Sequence, residues 1–300
     1  MSKLTDHKIL EGKLVTATKD RSYRHVPGPD GGDRFEPTRF HHVIDEMDEV
    51  IASGRTDQFT LVQNRDLVSA LDLAAEGAGI VLTPRSALYH NGQARYEFTP
   101  EGMEFTAPGD TSPTMGRIIL GNDYRGQGGL SVSSGWFRLV CTNGLTVGTV
   151  AHKDTLRHVG EIDLMRFVTE AVTKFQRRYE VEKVLAERLA GVPVENLYVP
   201  TTREDAQQRA EDDPIAAIYA DTAERYHLDL TRTISSNLHD AGRSHWGLAQ
   251  AVSEIATHRM QTTATGERRT RPNLGADAWA TRQLNRIIQN AEGILETTLR

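Results

Sequence analysis

Cys141, His152, Asp154 and His158 are the side chains in this sequence most able to act on a substrate. A thiolate nucleophile needs a base beside it and an electropositive setting. Cys141 ends the apolar run Phe137-Arg-Leu-Val-Cys141, where a free cysteine behaves as a small buried hydrophobe, so it is expected to be buried and unreactive. His152 and His158 stand six residues apart, a step that neither a helix nor a strand turns toward one point. No metal site is expected there. The segment Gly121 to Gly129 (GNDYRGQGG) has the glycines of a phosphate cradle but neither the G-x-G-x-x-G nor the G-K-[ST] order. Strand patterns flank it on both sides, so it reads as a hairpin turn. No G-x-S-x-G or H-E-x-x-H occurs. The sequence holds no catalytic motif, implies no cofactor, and leans away from an enzyme.

Arginine supplies a different chemistry, because its planar fork suits phosphate oxygens. From Thr257 to Arg286 there are six arginines (Arg259, Arg268, Arg269, Arg271, Arg282 and Arg286) against Glu267 and Asp277, a balance of +4. From Thr201 to Asp229 eight acids face three arginines, a balance of -5. The whole chain has 300 residues, 35 of them basic and 41 acidic, for a net charge of -6. That excludes a general cationic coat but leaves room for a local basic face. A single cysteine excludes an internal disulfide framework. No run approaches the ~18 apolar residues of a membrane-spanning helix, and the first residues lack a signal peptide's apolar stretch. A cytoplasmic protein is expected.

Periodicity assigns these residues to elements. Residues 1–36 read as a flexible arm, because VPGPDGGDRFEP opposes regular structure. Pro37 opens a predicted helix with Phe40, Val43, Ile44, Met47, Val50 and Ile51 at helical offsets, closed by Gly54. A second helix is predicted from Asn64, as N-cap, to Gly77. Strands are predicted at Gly79 to Leu82, Arg95 to Thr99, Met115 to Leu120 and Leu130 to Val140, with Asn91-Gly92 as a tight turn. A long helix should run from Ile162 to Leu189, with further helices at Arg203 to Glu211, Pro214 to Tyr226, Trp246 to Met260 (Ser244 as N-cap) and Asp277 onward. The expected architecture is α+β, with N-terminal helices, a central twisted antiparallel sheet, and an all-helical C-terminal third. The expected divisions are 1–36, an α+β core over 37–160, and a helical region over 161–300.

One stretch is distinctive enough to compare with a family. Asn122-Asp-Tyr-Arg-Gly126, the strand segment Arg138-Leu-Val-Cys141-Thr-Asn143, and the later pair Arg157-His158 resemble the phage/plasmid-like proteins filed as domain of unknown function 932. The R-L-V-C-T-N core matches without gaps. The turn departs, with Asp123 and Arg125 where the family usually has Ser and Asp. Trp246 to Glu254 looks like the family's W-x-x-x-N-A-x-T-E helix, with Gln250 in place of Asn. The resemblance implies a mobile-element context, an intracellular protein and no agreed enzyme activity. The sheet-then-long-helix order is also similar in outline to phage single-strand annealing proteins.

Two function classes fit these features. The first is an accessory protein that binds or anneals single-stranded DNA in replication or recombination, using the six arginines, with Tyr124, Trp136 and Phe137 as candidate stacking rings. The second is a non-enzymatic factor that engages a protein partner through the acidic segment from Glu204 to Asp229. Homo-oligomerisation is compatible with either. Arg138 and Asn143 are expected to organise the hairpin and its turn, since a strand arginine must find acceptors and Asn-Gly suits a tight turn.

Overall fold

A computed structural model of the chain describes residues 4–27, 33–139, 146–194, 200, 202–211, 213–222, 227–256 and 274–298. The fold is α+β with antiparallel sheets. Two short 3-10 turns, Leu4–Asp6 and Lys8–Leu10, precede strands β1 (Ala17–Pro27), β2 (Asp33–Asp45) and β3 (Val50–Arg55). These pair in sequence order as a three-stranded antiparallel sheet. Helix α1 (Asn64–Gly77) comes next. A second sheet holds β4 (Leu82–His90), β5 (Gln93–Pro100), β7 (Thr114–Asp123), β8 (Gly129–Leu139) and β9 (Thr146–Leu156) in that order, with β6 (Glu104–Phe105) on β7. The later elements among the described residues are helices: α2 (Leu164–Ala190), α3 (Arg203–Arg209), α4 (Pro214–Ala220), α5 (His227–Asp240), α6 (His245–Glu254) and α7 (Leu274–Thr298).

Several sequence-based expectations do not hold: the strand expected at Gly79 to Leu82 begins only at Leu82, and the helix expected from Pro214 to Tyr226 ends at Ala220. Residues 1–36 are not an arm: they carry two 3-10 turns, all of β1 and the start of β2. Of the Pro-Gly-rich stretch, Pro27 ends β1 and residues 33–37 belong to β2, while residues 28–32 lie outside the described residues. Nor does Pro37 open a helix; it lies inside β2, opposite Tyr23. The helical offsets at Val43, Ile44, Val50 and Ile51 come from β-branched residues of two strands, which favour extended backbone. Between them Asp45 Oδ1 accepts from the backbone N–H of Met47 and Glu49, at 2.9 and 3.0 Å, and Asp48 takes φ 61°. That Asx turn reverses the chain where a helix would have continued. The Asn91-Gly92 turn does form, with φ of 46° and 74°, in the two-residue geometry that matches strand twist. Helix α5 and strand β9 have no counterpart among the predicted elements.

The chain forms two compact units, interleaved in sequence where the expected divisions are consecutive. One comprises Met1–Gly102, Gly116–Gly135 and Val150–Arg177; the other comprises Met103–Met115, Trp136–Thr149 and Arg178–Arg300. In the first, Leu67, Val68 and Leu71 of α1, Tyr96 and Phe98 of β5, Ile118 and Leu120 of β7, and Val168, Val172 and Phe175 of α2 are buried. Its two buried tyrosines keep their hydroxyls bonded: Tyr96 Oη donates to Lys13 O at 2.7 Å and Tyr124 Oη to Val15 O at 3.3 Å. Burial pushes both phenols well above their usual range. In the second unit, Ile215, Leu230, Leu248, Val252 and Ile287 lie in one core of α4 to α7, with the rings of Phe105, Trp136, Tyr179 and Trp246 grouped together. The Ser244 side chain caps α6, as its sequence position implies, and Trp246 Nε1 donates to Asp110 Oδ2 at 2.9 Å.

Candidate functional site

The Asn122–Gly126 turn lies in the first unit, at the end of β7, and is gripped by the segment entering α1. Asn122 is 2% exposed. Its Nδ2 donates to Val62 O and to Asn64 Oδ1, both at 2.9 Å. Asn64 Nδ2 donates in turn to Val15 O at 3.1 Å, while the Asn64 backbone N–H donates to Tyr124 Oη. Asn64 therefore works as a buried relay between three backbone segments, and the N-cap position falls on Gln63, which makes no capping bond with its side chain. Asp123 closes the turn: its carboxylate accepts from the Arg125 and Gly128 backbone N–H groups and from Arg125 Nε. Here the departure from the family pattern has a local account, since an aspartate can satisfy two backbone donors at once.

His158 meets the same segment a few residues earlier. It is 2% exposed and stacks on Phe59, with ring centroids 5.0 Å apart. Its backbone carbonyl accepts from the Thr60 N–H, and its Nδ1 lies 2.9 Å from Thr60 O. A carbonyl only accepts, so Nδ1 carries the proton and Nε2 holds the lone pair. Burial, first, and then Arg55 hold the imidazole below its ordinary pKa, opposed by the Thr60 bond and Asp123. The ring is neutral near pH 7. Arg55 lies over Phe59, 5.6 Å from the ring centroid. A Cβ at Gly126 would lie 2.6 Å from Arg55 Nη1 and 3.4 Å from Phe59 Cε2, so the glycine makes room for them. Lys19 ties β1 to this junction by donating to Asp57 O and Phe59 O.

Three motif residues, Asn122, Gly126 and His158, thus converge on residues 58–64 and Arg55, while Arg157 beside them is exposed. Sequence reasoning missed Arg55, Phe59 and Asn64; Asn64 alone gives a signal, and that signal reads as helix capping. Arg138 lies in β8, and its side chain is outside the described residues, as are Cys141 and Asn143 entirely. His158 Nε2, Asn122 Oδ1 and Arg55 Nε are buried without a hydrogen-bond partner among the described residues. No nucleophile or carboxylate touches the imidazole in the described contacts, and Asp154 pairs instead with Lys174 at 3.0 Å. No group of three or more metal-ligating residues occurs among the described residues. The arrangement holds backbone segments together.

Of the six arginines, Arg259, Arg268, Arg269 and Arg271 lie outside the described residues. Arg282 and Arg286 stand one turn apart on α7 and reach the same Asp221 Oδ2, at 3.3 and 3.6 Å. Their side chains stay 54% and 47% exposed. Gln283 also donates to that oxygen. The acids of the neighbouring segment are partly engaged: Asp213 accepts from Ile215 N and Ala216 N at the start of α4, and Asp205 pairs with Arg209. A cleft of about 230 Å³ is lined by Gln207, Ala210, Ala217, Ala220, Asp221 and Arg286. It is smaller than the ~300–1,000 Å³ of typical small-molecule sites.

A family model described as Domain of unknown function (DUF932) matches residues 52–281. The match takes in α1, the second sheet, α2 to α6 and the start of α7, and leaves out β1 and β2. No curated protein and no solved structure matches the chain. No helix among the described residues is long and apolar enough to cross a membrane.

Proposed function

This chain belongs to the DUF932 family, a domain of unknown function, and on that premise we propose that it is a non-enzymatic accessory protein of a phage or plasmid that binds single-stranded DNA in the cytoplasm. The observation that carries this is the pairing on α7. Arg282 and Arg286 share one carboxylate and remain half exposed, so one positive charge is left over at that face. In the sequence Arg268, Arg269 and Arg271 precede α7, within a stretch whose balance is +4. Guanidinium groups in excess of their acids are suited to phosphate oxygens. Binding along a backbone needs no enclosed pocket, in keeping with the small cleft beside Arg286. The competing protein-partner surface has less support, since Asp205, Asp213 and Asp221 already bond within the fold.

Fluorescence polarisation with labelled single- and double-stranded oligonucleotides, at several salt concentrations, tests the proposal. Affinity for the single strand should fall steeply with salt, by a slope of about -0.7 per phosphate contact. Replacing Arg268, Arg269 and Arg271 together with alanine should flatten that slope by about 2. A wild-type chain that shows no salt-dependent binding at micromolar concentration would sink the proposal and favour the protein-partner class.

A further inference from the structure

The acidic and basic stretches of the C-terminal third meet at one oxygen atom. Asp221 follows α4, and its backbone N–H closes that helix by donating to Ala217 O at 3.3 Å. Its side chain turns instead to α7, where three donors share Oδ2. Arg282 Nε lies 3.3 Å away, Arg286 Nη1 lies 3.6 Å away, and Gln283 Nε2 donates to the same oxygen. Gln283 is buried, and its Oε1 accepts from Arg286 Nη1 at 3.3 Å. Two guanidinium groups and a packed amide thus form a receptor for an anionic oxygen. The other charges of α7 stand apart from it: Asp277 is five positions before Arg282, Glu292 is six after Arg286, and Glu296 is further on. All three fall outside the i,i+4 step at which side chains on a helix meet. On the neighbouring elements, Asp213 is engaged at the start of α4 and Asp205 with Arg209.

Resting on the proposed function, we propose that Asp221 stands in the place of a DNA phosphate and competes with single-stranded DNA for Arg282, Gln283 and Arg286. A phosphate oxygen accepts from the same donors as a carboxylate oxygen, so the two anions exclude each other at this fork. The carboxylate is able to yield. Its side chain is 30% exposed, and a cleft of about 230 Å³ opens beside it and Arg286, lined in part by the small side chains of Ala210, Ala217 and Ala220. Ion pairs between half-exposed groups are individually weak, so this contact tempers DNA binding without abolishing it. The charge distribution along the chain fits the same arrangement. The stretch with a balance of -5 supplies the internal anion, and the stretch with a balance of +4 supplies its receptor. Part of the acidic segment is thereby accounted for within the chain, with no partner protein required.

The test titrates full-length wild type, D221N, R282Q/R286Q and D221N/R282Q/R286Q with a labelled thymidine oligonucleotide by fluorescence polarisation, with a thermal melt of each chain. Asparagine keeps an acceptor for the α7 donors and removes the charge. D221N should bind about three- to tenfold more tightly than wild type, with the larger gain at low salt, where charges are less screened. In the R282Q/R286Q background the same substitution should change affinity by less than about twofold, because the competition runs through those arginines. D221S takes the place of D221N in both backgrounds if the latter is not folded at the assay temperature. If wild type binds DNA and the Asp221 variant binds it equally well or more weakly, the competition is overturned while the DNA-binding proposal stands. A gain of the same size in both backgrounds makes Asp221 a simple repulsive charge and also overturns the competition. Failure of wild type to bind overturns both proposals.

Discussion

Replacing Asn122 with aspartate changes one atom's hydrogen-bonding sense and almost nothing of its shape. Asn122 Nδ2 now donates to Val62 O and Asn64 Oδ1, and both partners offer only lone pairs at those atoms. An aspartate would set a carboxylate oxygen against two acceptors at a position 2% exposed. Two hydrogen bonds worth about 1 kcal/mol each are lost, and an unpaired buried charge adds several kcal/mol unless it takes up a proton. At neutral pH the variant should lose about 3–5 kcal/mol. Burial disfavours the charged carboxylate, so the folded variant binds its proton more tightly than the unfolded chain does. The loss is therefore largest at high pH and shrinks as pH falls through the raised pKa, because a protonated carboxyl can donate once. Urea denaturation at about pH 7.5 and about pH 5, each against wild type, reads this directly. Asn122→Ala serves as the pH-independent control at about 2–3 kcal/mol. A loss at neutral pH below about 0.5 kcal/mol for Asn122→Asp, or one that does not change with pH, would refute the assigned donor geometry and the clamp built on it.

Stability should also depend on His158, whose burial holds it below its ordinary value of 6.5. That contribution is complete above 6.5 and is lost as pH falls through the depressed folded pKa; His158→Gln should remove this acid-side slope from a plot of melting temperature against pH. Gly129 and Gly160 share a positive φ, 64° and 73°, but a Cβ at Gly129 meets the Leu156 carbonyl whereas nothing lies near Gly160. Gly160→Ala should cost only the ~1–2 kcal/mol of left-handed backbone, and Gly129→Ala clearly more, by denaturant midpoint. Removing Arg282 and Arg286 together should lower stability by no more than about 2 kcal/mol, since both are half exposed, yet flatten the salt slope of DNA binding by about 1.4.

Local chemistry decides which elements are legible in the sequence. Asn91-Gly92, Ser244 and the run from Ile162 to Leu189 announce a turn, a cap and a long helix by short-range signals, and each element is there. The stretch from Pro37 to Gly54 misleads because β-branched residues of two adjacent strands happen to fall at helical offsets. Period alone cannot separate those cases, and the deciding feature is the Asp45 side chain folding onto two backbone N–H groups. Strand β9 carries His152, Lys153 and Asp154, whose polarity hides it. The motif can be located from sequence, and its partners cannot. Asn122, Gly126 and His158 are drawn together by residues 58–64, which stand about 60 and 100 positions away and carry no pattern of their own.

The packing of the motif turn and His158 bears on where function resides. Asn122 Nδ2, Asn64 and Tyr124 bond one another and backbone carbonyls, Thr60 meets His158, and Asp123 closes its own turn, while Asn122 Oδ1 and His158 Nε2 are buried without a partner among the described residues. The bonds that are made tie separate backbone segments together. Disturbing them should unfold the unit before it alters any binding, which is what a scaffold does. The same junction is tied to the base of the β1–β2 hairpin through Lys19 and through Arg55, which ends β3 and lies over Phe59. A variant such as Asn122→Ala should therefore weaken DNA binding only in proportion to the fraction unfolded, whereas replacing Arg268, Arg269 and Arg271 with alanine should weaken it in a fully folded chain. Titrating both at a temperature where each is folded separates scaffold from contact residues, and equal losses from the two would contradict this division of labour.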